Sequence, residues 1–186
     1  MTRNLSSTEL KRLHRTWREP TTQRLALLLD GVQTPFNVGA ILRTAAAYRV
    51  DHLWLVDPTA SPTDAKTQKT ALGSQKYLTW TILPSVTEAA TQIRDAGYAL
   101  IGVELAEGAE PLFALDLARD VCLAVGHEDR GLSSTCLDAC DAIGFLPLLG
   151  KIGSLNVATA ASMAMYEARR QDWQRPPQLA GPTEHP

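Results

Sequence analysis

The chain of 186 residues has few of the residues that mark several common chemistries. Its three cysteines, Cys122, Cys136 and Cys140, form no CxxC pair and have no histidines at ligand spacing. An odd and sparse set of this kind supports neither a disulfide framework nor a zinc site, and is read as ordinary reduced thiols. No run approaches the roughly 18 apolar residues of a membrane span. The first stretch, MTRNLSSTELKRLHR, has charge with no apolar segment behind it, so no secretory signal is read and a cytoplasmic protein is expected. Excess charge of one sign is missing too, with 18 Lys and Arg against 20 Asp and Glu. That balance excludes a protein holding nucleic acid through global positive charge alone. There is no P-loop, no GxSxG, no metal-ligand spacing and no Rossmann GxGxxG. Kinase, hydrolase and ordinary dehydrogenase readings therefore lack support, and no metal is expected.

The composition, 45% hydrophobic and 20% charged, fits one compact core. From Arg24 onward the pattern alternates strand and helix. RLALLLD (Arg24–Asp30) is a continuous apolar run, as in a strand covered on both faces of a parallel sheet. A helix from about Asn37 to Tyr48 follows, then HLWLV (His52–Val56) and KYLTWTIL (Lys76–Leu83) as second and third strands. Ser85 with Glu88 caps a helix ending near Gly97. YALIGVE (Tyr98–Glu104), CLAV (Cys122–Val125) and AIGFL (Ala142–Leu146) complete six strands, with a short helix over Ser134–Cys140 between the last two. The expected fold is α/β, a mostly parallel six-stranded sheet flanked by helices. Three segments are read: a basic helical extension over 1–23, the folded domain over 24–172, and a Pro-rich tail over 173–186 expected to be disordered.

Three stretches each follow a predicted strand and so belong at the carboxyl edge of a parallel sheet, where ligands bind. In PFNVGAILRTAAA (Pro35–Ala47), Asn37 can cap a helix and Gly39 permits close backbone approach. Arg43 lies in an otherwise apolar helix, where it wants a phosphate or carboxylate partner or serves a structural ion pair. In LAVGHEDRGLS (Leu123–Ser133), Gly126 and Gly131 bracket His127, Glu128, Asp129 and Arg130. Two acids in that loop argue against a polyanion and for a ligand with positive charge or donor groups, unless the loop is a plain acidic surface turn. The third stretch, LPLLGKIGSLNVATAASMAMYE (Leu146–Glu167), crosses a loop with Gly150 and Gly153. It enters a helix at Ser154 to Asn156, where ordinary N-capping also explains the short polar residues. That helix carries Ala158, Ala160, Ala161, Ser162 and Ala164, so something packs very close to it.

Ahead of the domain, Lys11, Arg12, His14, Arg15 and Arg18 surround Leu13 and Trp17. Cations interleaved with an aromatic suit a phosphate backbone with exposed bases; the competing reading is a solvated amphipathic helix starting at Ser6, with Glu9 completing a capping box.

Asn37, Gly39 and Arg43, then GHEDRGLS, then LPLLGKIGSLNVATAASMAMYE, in that order and spacing, resemble the three signature motifs of the SpoU (TrmH-like) branch of the SPOUT RNA 2′-O-ribose methyltransferases. The resemblance runs from about Arg24 to Arg170. It implies an α/β sheet with a C-terminal deep trefoil knot, a homodimer, and S-adenosyl-L-methionine as cofactor. By position it assigns cofactor contacts to Val103, Glu104 and Leu105, to Gly126, and to Leu146, Leu148 and Leu155. It implies catalytic roles for Arg43, Asn37, Glu128, Ser154 and Asn156, with tRNA as the leading substrate; the alternatives are the same chemistry on rRNA or a catalytically silent RNA-binding relative. RNA contact would fall on Lys11, Arg12, Arg15, Arg18 and Arg43, together with Arg49, Lys66, Lys69 and Lys76.

Overall fold

In a computed structural model, residues 3–18 and 20–174 are described. Helix α1 (Ser7–Arg18) precedes seven strands, β1 (Leu25–Asp30), β2 (His52–Val56), β3 (Trp80–Leu83), β4 (Ala99–Val103), β5 (Glu110–Pro111), β6 (Val121–Gly126) and β7 (Ala142–Phe145). They form one sheet in the order β3-β2-β1-β6-β4-β7-β5, with every pairing parallel. Between them run α2 (Pro35–Ala47), α3 (Ala65–Ala71), α4 (Val86–Asp95) and α5 (Ser134–Ala139), and α6 (Val157–Gln174) closes the fold.

The two-faced burial expected of the first strand is seen directly. Leu25, Leu27 and Leu29 of β1 pack with Ile41, Leu42, Ala161 and Ala168 on one face, and Ala26 and Leu28 pack with Ala89, Ile93 and Cys136 on the other. Thus α2 and α6 cover one face, and α4 and α5 the other. The small residues of α6 have a plain packing cause. Val157, Ala158, Ala161, Ala164, Met165 and Ala168 form a helical stripe, all buried, that lets α6 lie close on both α2 and the sheet.

The sheet departs from the sequence reading in its strand count and in its third strand. The sheet has seven strands rather than six, because β5 is a two-residue edge strand too short to show alternation. The third strand begins at Trp80 rather than Lys76. Ser74–Tyr77 instead form a 3-10 turn that enters at Gly73, whose φ of +83° suits glycine. The capping box on α1 forms as read, with Glu9 N–H donating to Ser6 Oγ and Ser6 N–H to the Glu9 carboxylate. Most of the tail, 175–186, lies outside the described residues. No described helix is long and apolar enough to cross a membrane.

Candidate active site at the carboxyl edge

Three neighbouring strands, β6, β4 and β7, end side by side, and the chain leaving each one bounds a cavity of about 620 Å³. All seven residues assigned to the cofactor by position line it: Val103, Glu104 and Leu105 after β4, Gly126 at the end of β6, and Leu146, Leu148 and Leu155 after β7. Glu128 and Ser154 line it as well.

The middle wall is a very tight turn. His127 and Gly131 pair antiparallel, each N–H donating to the other's carbonyl at 3.0 and 2.9 Å. A Cβ on Gly126 would stand 2.2 Å from the Gly131 carbonyl, and one on Gly131, at φ +67°, would meet the Glu104 carboxylate at 2.1 Å. Only glycine fits either place. Glu104 accepts hydrogen bonds from the N–H groups of Leu105 and Leu132, both at 3.0 Å, so its carboxylate staples the end of β4 to this turn. Asp30, at the end of β1, does the same for Ser133 N–H at 2.7 Å. Neither role was read from the sequence.

A polar chain ties the three motif stretches together. Asn37 Nδ2 donates to Glu128 Oε1, and Asn156 Nδ2 donates to Asn37 Oδ1, each at 3.0 Å. Asn156 Oδ1 in turn accepts from the N–H groups of Ala158 and Thr159, capping α6. The Glu128 carboxylate accepts from the N–H groups of Gln33 and Thr34 as well, at the entrance of α2. Burial raises the Glu128 pKa, yet the bonds from Asn37 and Thr34 outweigh it and bring the carboxyl down to about 2. An anion there also suits the positive end of the α2 dipole. Asn37 is therefore no cap. It sits inside α2, buried, and the helix starts two residues earlier at Pro35. The acids of GHEDRGLS divide as well: Glu128 is engaged by the protein's own amides, while Asp129 is exposed.

Other predicted residues lie elsewhere. Arg43 is exposed, lines no part of this cavity and makes no ion pair among the described residues. Lys11, Arg12, Arg15 and Arg18 are exposed on α1, which rests on α6 through Trp17 and Trp173, their ring centroids 5.1 Å apart.

The last wall comes from the segment Leu146–Leu155, with Leu149 and Lys151 turned away from the cavity lining. Among the described residues none of its peptide groups enters a backbone–backbone hydrogen bond. A cavity with apolar side chains and a rim of uncommitted peptide donors and acceptors fits a nucleoside with a charged tail. Fold and cavity together define a parallel α/β protein with a ligand site at the carboxyl edge of its sheet.

The chain belongs to the SpoU rRNA Methylase family, which it matches over residues 24–166. A 23S rRNA (guanosine-2′-O-)-methyltransferase RlmB of Xylella fastidiosa is 34% identical over 149 residues, covering 80% of this chain and 59% of that protein. The SpoU methyltransferase AviRb of Streptomyces viridochromogenes, solved with AdoMet, superposes with a TM-score of 0.76 at 31% identity, over 85% of this chain and 64% of that one. A structure bearing on the 2-OH methylation of C/U34 on tRNA matches with a TM-score of 0.73 at 28% identity, over 82% of this chain and 99% of that one. The chain spans 57–59% of the length of the first curated relatives it matches.

Proposed function

We propose that this protein transfers a methyl group from S-adenosyl-L-methionine to a ribose 2′-hydroxyl of RNA. The observation that carries the reading is the single cavity lined by all seven residues assigned to that cofactor, walled by glycines and unpaired peptide groups. AviRb binds AdoMet on the same fold, which supports the assignment.

Bound there, S-adenosylmethionine supplies an electrophilic methyl group on a sulfonium. Val103, Leu105, Leu146, Leu148 and Leu155 would exclude water around it, and the peptide groups of the lining residues that follow β7 would hold its polar groups. Arg43 stabilises negative charge developing on the ribose oxygen and holds the neighbouring phosphate, a task suited to the fixed donors of a guanidinium. Asn37, Glu128 and Asn156 act as positioning residues through the chain of bonds that joins the three loops, and Ser154, exposed at the cavity, is free to offer its hydroxyl to the substrate. Since Arg43 stands outside the cavity of its own chain, its action requires a second subunit. The homodimer implied by the family resemblance, which brings the first motif of one subunit to the cofactor of the other, meets that need. The trefoil knot and the RNA contacts of Lys11, Arg12, Arg15 and Arg18 belong to the same proposal.

For the RNA class, tRNA is supported by the match to nearly the whole chain of the C/U34 structure. Ribosomal RNA is supported by the higher identity to RlmB. Labelled methyl transfer to tRNA and to rRNA, followed by mapping of 2′-O-methyl positions, separates the two. In the same assay Arg43→Ala lowers turnover by about 100- to 1,000-fold. It leaves cofactor affinity, measured by calorimetry, within about twofold, because Arg43 does not line the cavity. Full turnover by Arg43→Ala overturns the role given to this residue, and no transfer to any RNA overturns the function.

A further inference from the structure

Tyr77 is an aromatic side chain left 83% exposed, well above any other exposed aromatic ring in the described chain. Its position is fixed by its neighbours. It closes the 3-10 turn Ser74–Tyr77, and Leu78, the next residue, is buried in the core beneath α2. Leu78 N–H donates to the Gln75 carbonyl, which keeps the turn closed and the ring outside.

The surroundings are cationic. From Pro58 to Thr87 the only acid is Asp64, spent on capping α3, whereas Lys66, Lys69 and Lys76 are all exposed. None of the three has a carboxylate partner among the described residues. A net-acidic protein thus carries a local basic patch with an aromatic ring at its end.

The patch adjoins the helix that bears Arg43. A Cβ on Gly39 would meet Thr67 O at 2.6 Å and Thr70 Cβ at 2.7 Å, so α2 and α3 are pressed together along the face that Gly39 presents. Arg43 is four residues further along α2, on that same face and one turn nearer its C-terminus. The chain leaving α3 at Leu72 runs into the 3-10 turn, which also packs on α2. Arg43 therefore lies on the α2 face against which α3 and the 3-10 turn pack, and Lys69, Lys76 and Tyr77 belong to those two elements.

We infer that Tyr77 is a stacking platform for an unpaired base of the RNA substrate, next to the nucleotide whose phosphate Arg43 holds. Lysines track the backbone while the ring takes the π-face of a base, the combination by which single-stranded RNA is gripped without reading its sequence. This rests on the RNA methyltransferase reading and narrows it to an unpaired segment, a loop or a bulge, as the substrate.

The test uses the full chain with a fluorescein-labelled, unstructured oligoribonucleotide, its affinity followed by anisotropy. Tyr77→Ala should weaken binding roughly 5- to 150-fold, and Tyr77→Phe should restore it, since stacking needs the ring and not the hydroxyl. Lys76→Ala should lower the slope of log affinity against log salt by about 0.7. Cofactor affinity and melting temperature should match wild type in all three variants, which separates RNA contact from damage to the fold. Wild-type affinity in Tyr77→Ala overturns the inference while leaving methyl transfer intact. So does loss of self-association by size exclusion with RNA affinity unchanged, which would make Tyr77 a protein contact. A wild-type protein that methylates no RNA removes the functional reading itself, and the two failures are told apart by that control.

Discussion

At the amino edge of the sheet Asp51, Asp120 and Asp141 accept hydrogen bonds from the N–H groups of Leu25, Arg24 and Leu100, at 2.7 to 2.9 Å. At the carboxyl edge Asp30, Glu104 and Glu128 accept from the N–H groups of Ser133, Leu132, Leu105 and Thr34, over a similar range. The device is shared and the product differs. At the amino edge each carboxylate closes a peptide N–H at or beside a strand start. The buried Arg169 completes the seal, donating to the carbonyls of Gln23, Tyr48 and Arg49. At the carboxyl edge the carboxylates hold loops in place, while ten consecutive residues, 146–155, have no backbone hydrogen-bond partner among the described residues. A depression of about 580 Å³ exists at the amino edge too, lined by Tyr98, Arg119, Asp120 and Asp141. Volume alone therefore does not mark the site; uncommitted backbone beside apolar walls does.

The contrast predicts that the two edges fail differently. Arg169→Met should have the largest effect on stability, about 3 kcal/mol or more, because three carbonyls lose their donor in a buried place. Its signature is a lower denaturant midpoint with cofactor affinity unchanged under folding conditions. Gly126→Ala should cost about 2 to 3 kcal/mol, since its Cβ meets backbone at 2.2 Å and the turn must move. Here calorimetry should show cofactor binding lost in the folded protein. If Arg169→Met also abolished cofactor binding at full folding, the separation of the edges would be wrong. Asn37→Ala comes next, at about 1 to 2 kcal/mol, because it removes one of the donors to Glu128 and the acceptor of Asn156 Nδ2, while Gln33 and Thr34 still donate to Glu128. Turnover should fall more than cofactor affinity, the mark of a positioning residue. The amino-edge counterpart is Arg24→Ala, which removes an exposed pair with Asp120 and a stacking contact over Tyr98, and should cost under about 1 kcal/mol with turnover unchanged.

How much of this was legible follows from burial and distance along the chain. β2 was read to the residue and β1 to within one, because strands buried on both faces write themselves as unbroken apolar runs. β5 has two residues at an edge and leaves no such trace. At the site, the second and third stretches line the cavity, and the first is joined to them only through Asn37. The link between them was invisible, since Asn37 meets Glu128 across 91 positions and Asn156 across 119. Nothing local distinguishes an asparagine that caps from one that bonds a distant carboxylate. Arg169 was missed for a related reason: a charged residue is read as solvated, and only its place beside the alanine stripe of α6 hinted at burial.

Acid is the mildest probe of the contrast, and its sign is fixed by the direction of the Glu128 shift. The folded carboxyl titrates at about 2, below its ordinary value of 4.5, so folding favours the ionised form. Its contribution is fully present above pH 4.5 and is lost as pH falls toward 2. Glu128→Gln keeps a carbonyl oxygen for Asn37 but has no charge to lose, so between pH 5 and about 2 its stability should fall less steeply than that of wild type. The protonated carboxyl is a weaker acceptor for the amides at the start of α2. The loosening should therefore begin there, and hydrogen exchange at Gln33 and Thr34 should accelerate before exchange at Leu25 and Leu100 on the amino edge. Simultaneous acceleration at both edges would show that acid acts on the sheet as a whole, and that Glu128 does not hold the carboxyl-edge loops separately from it.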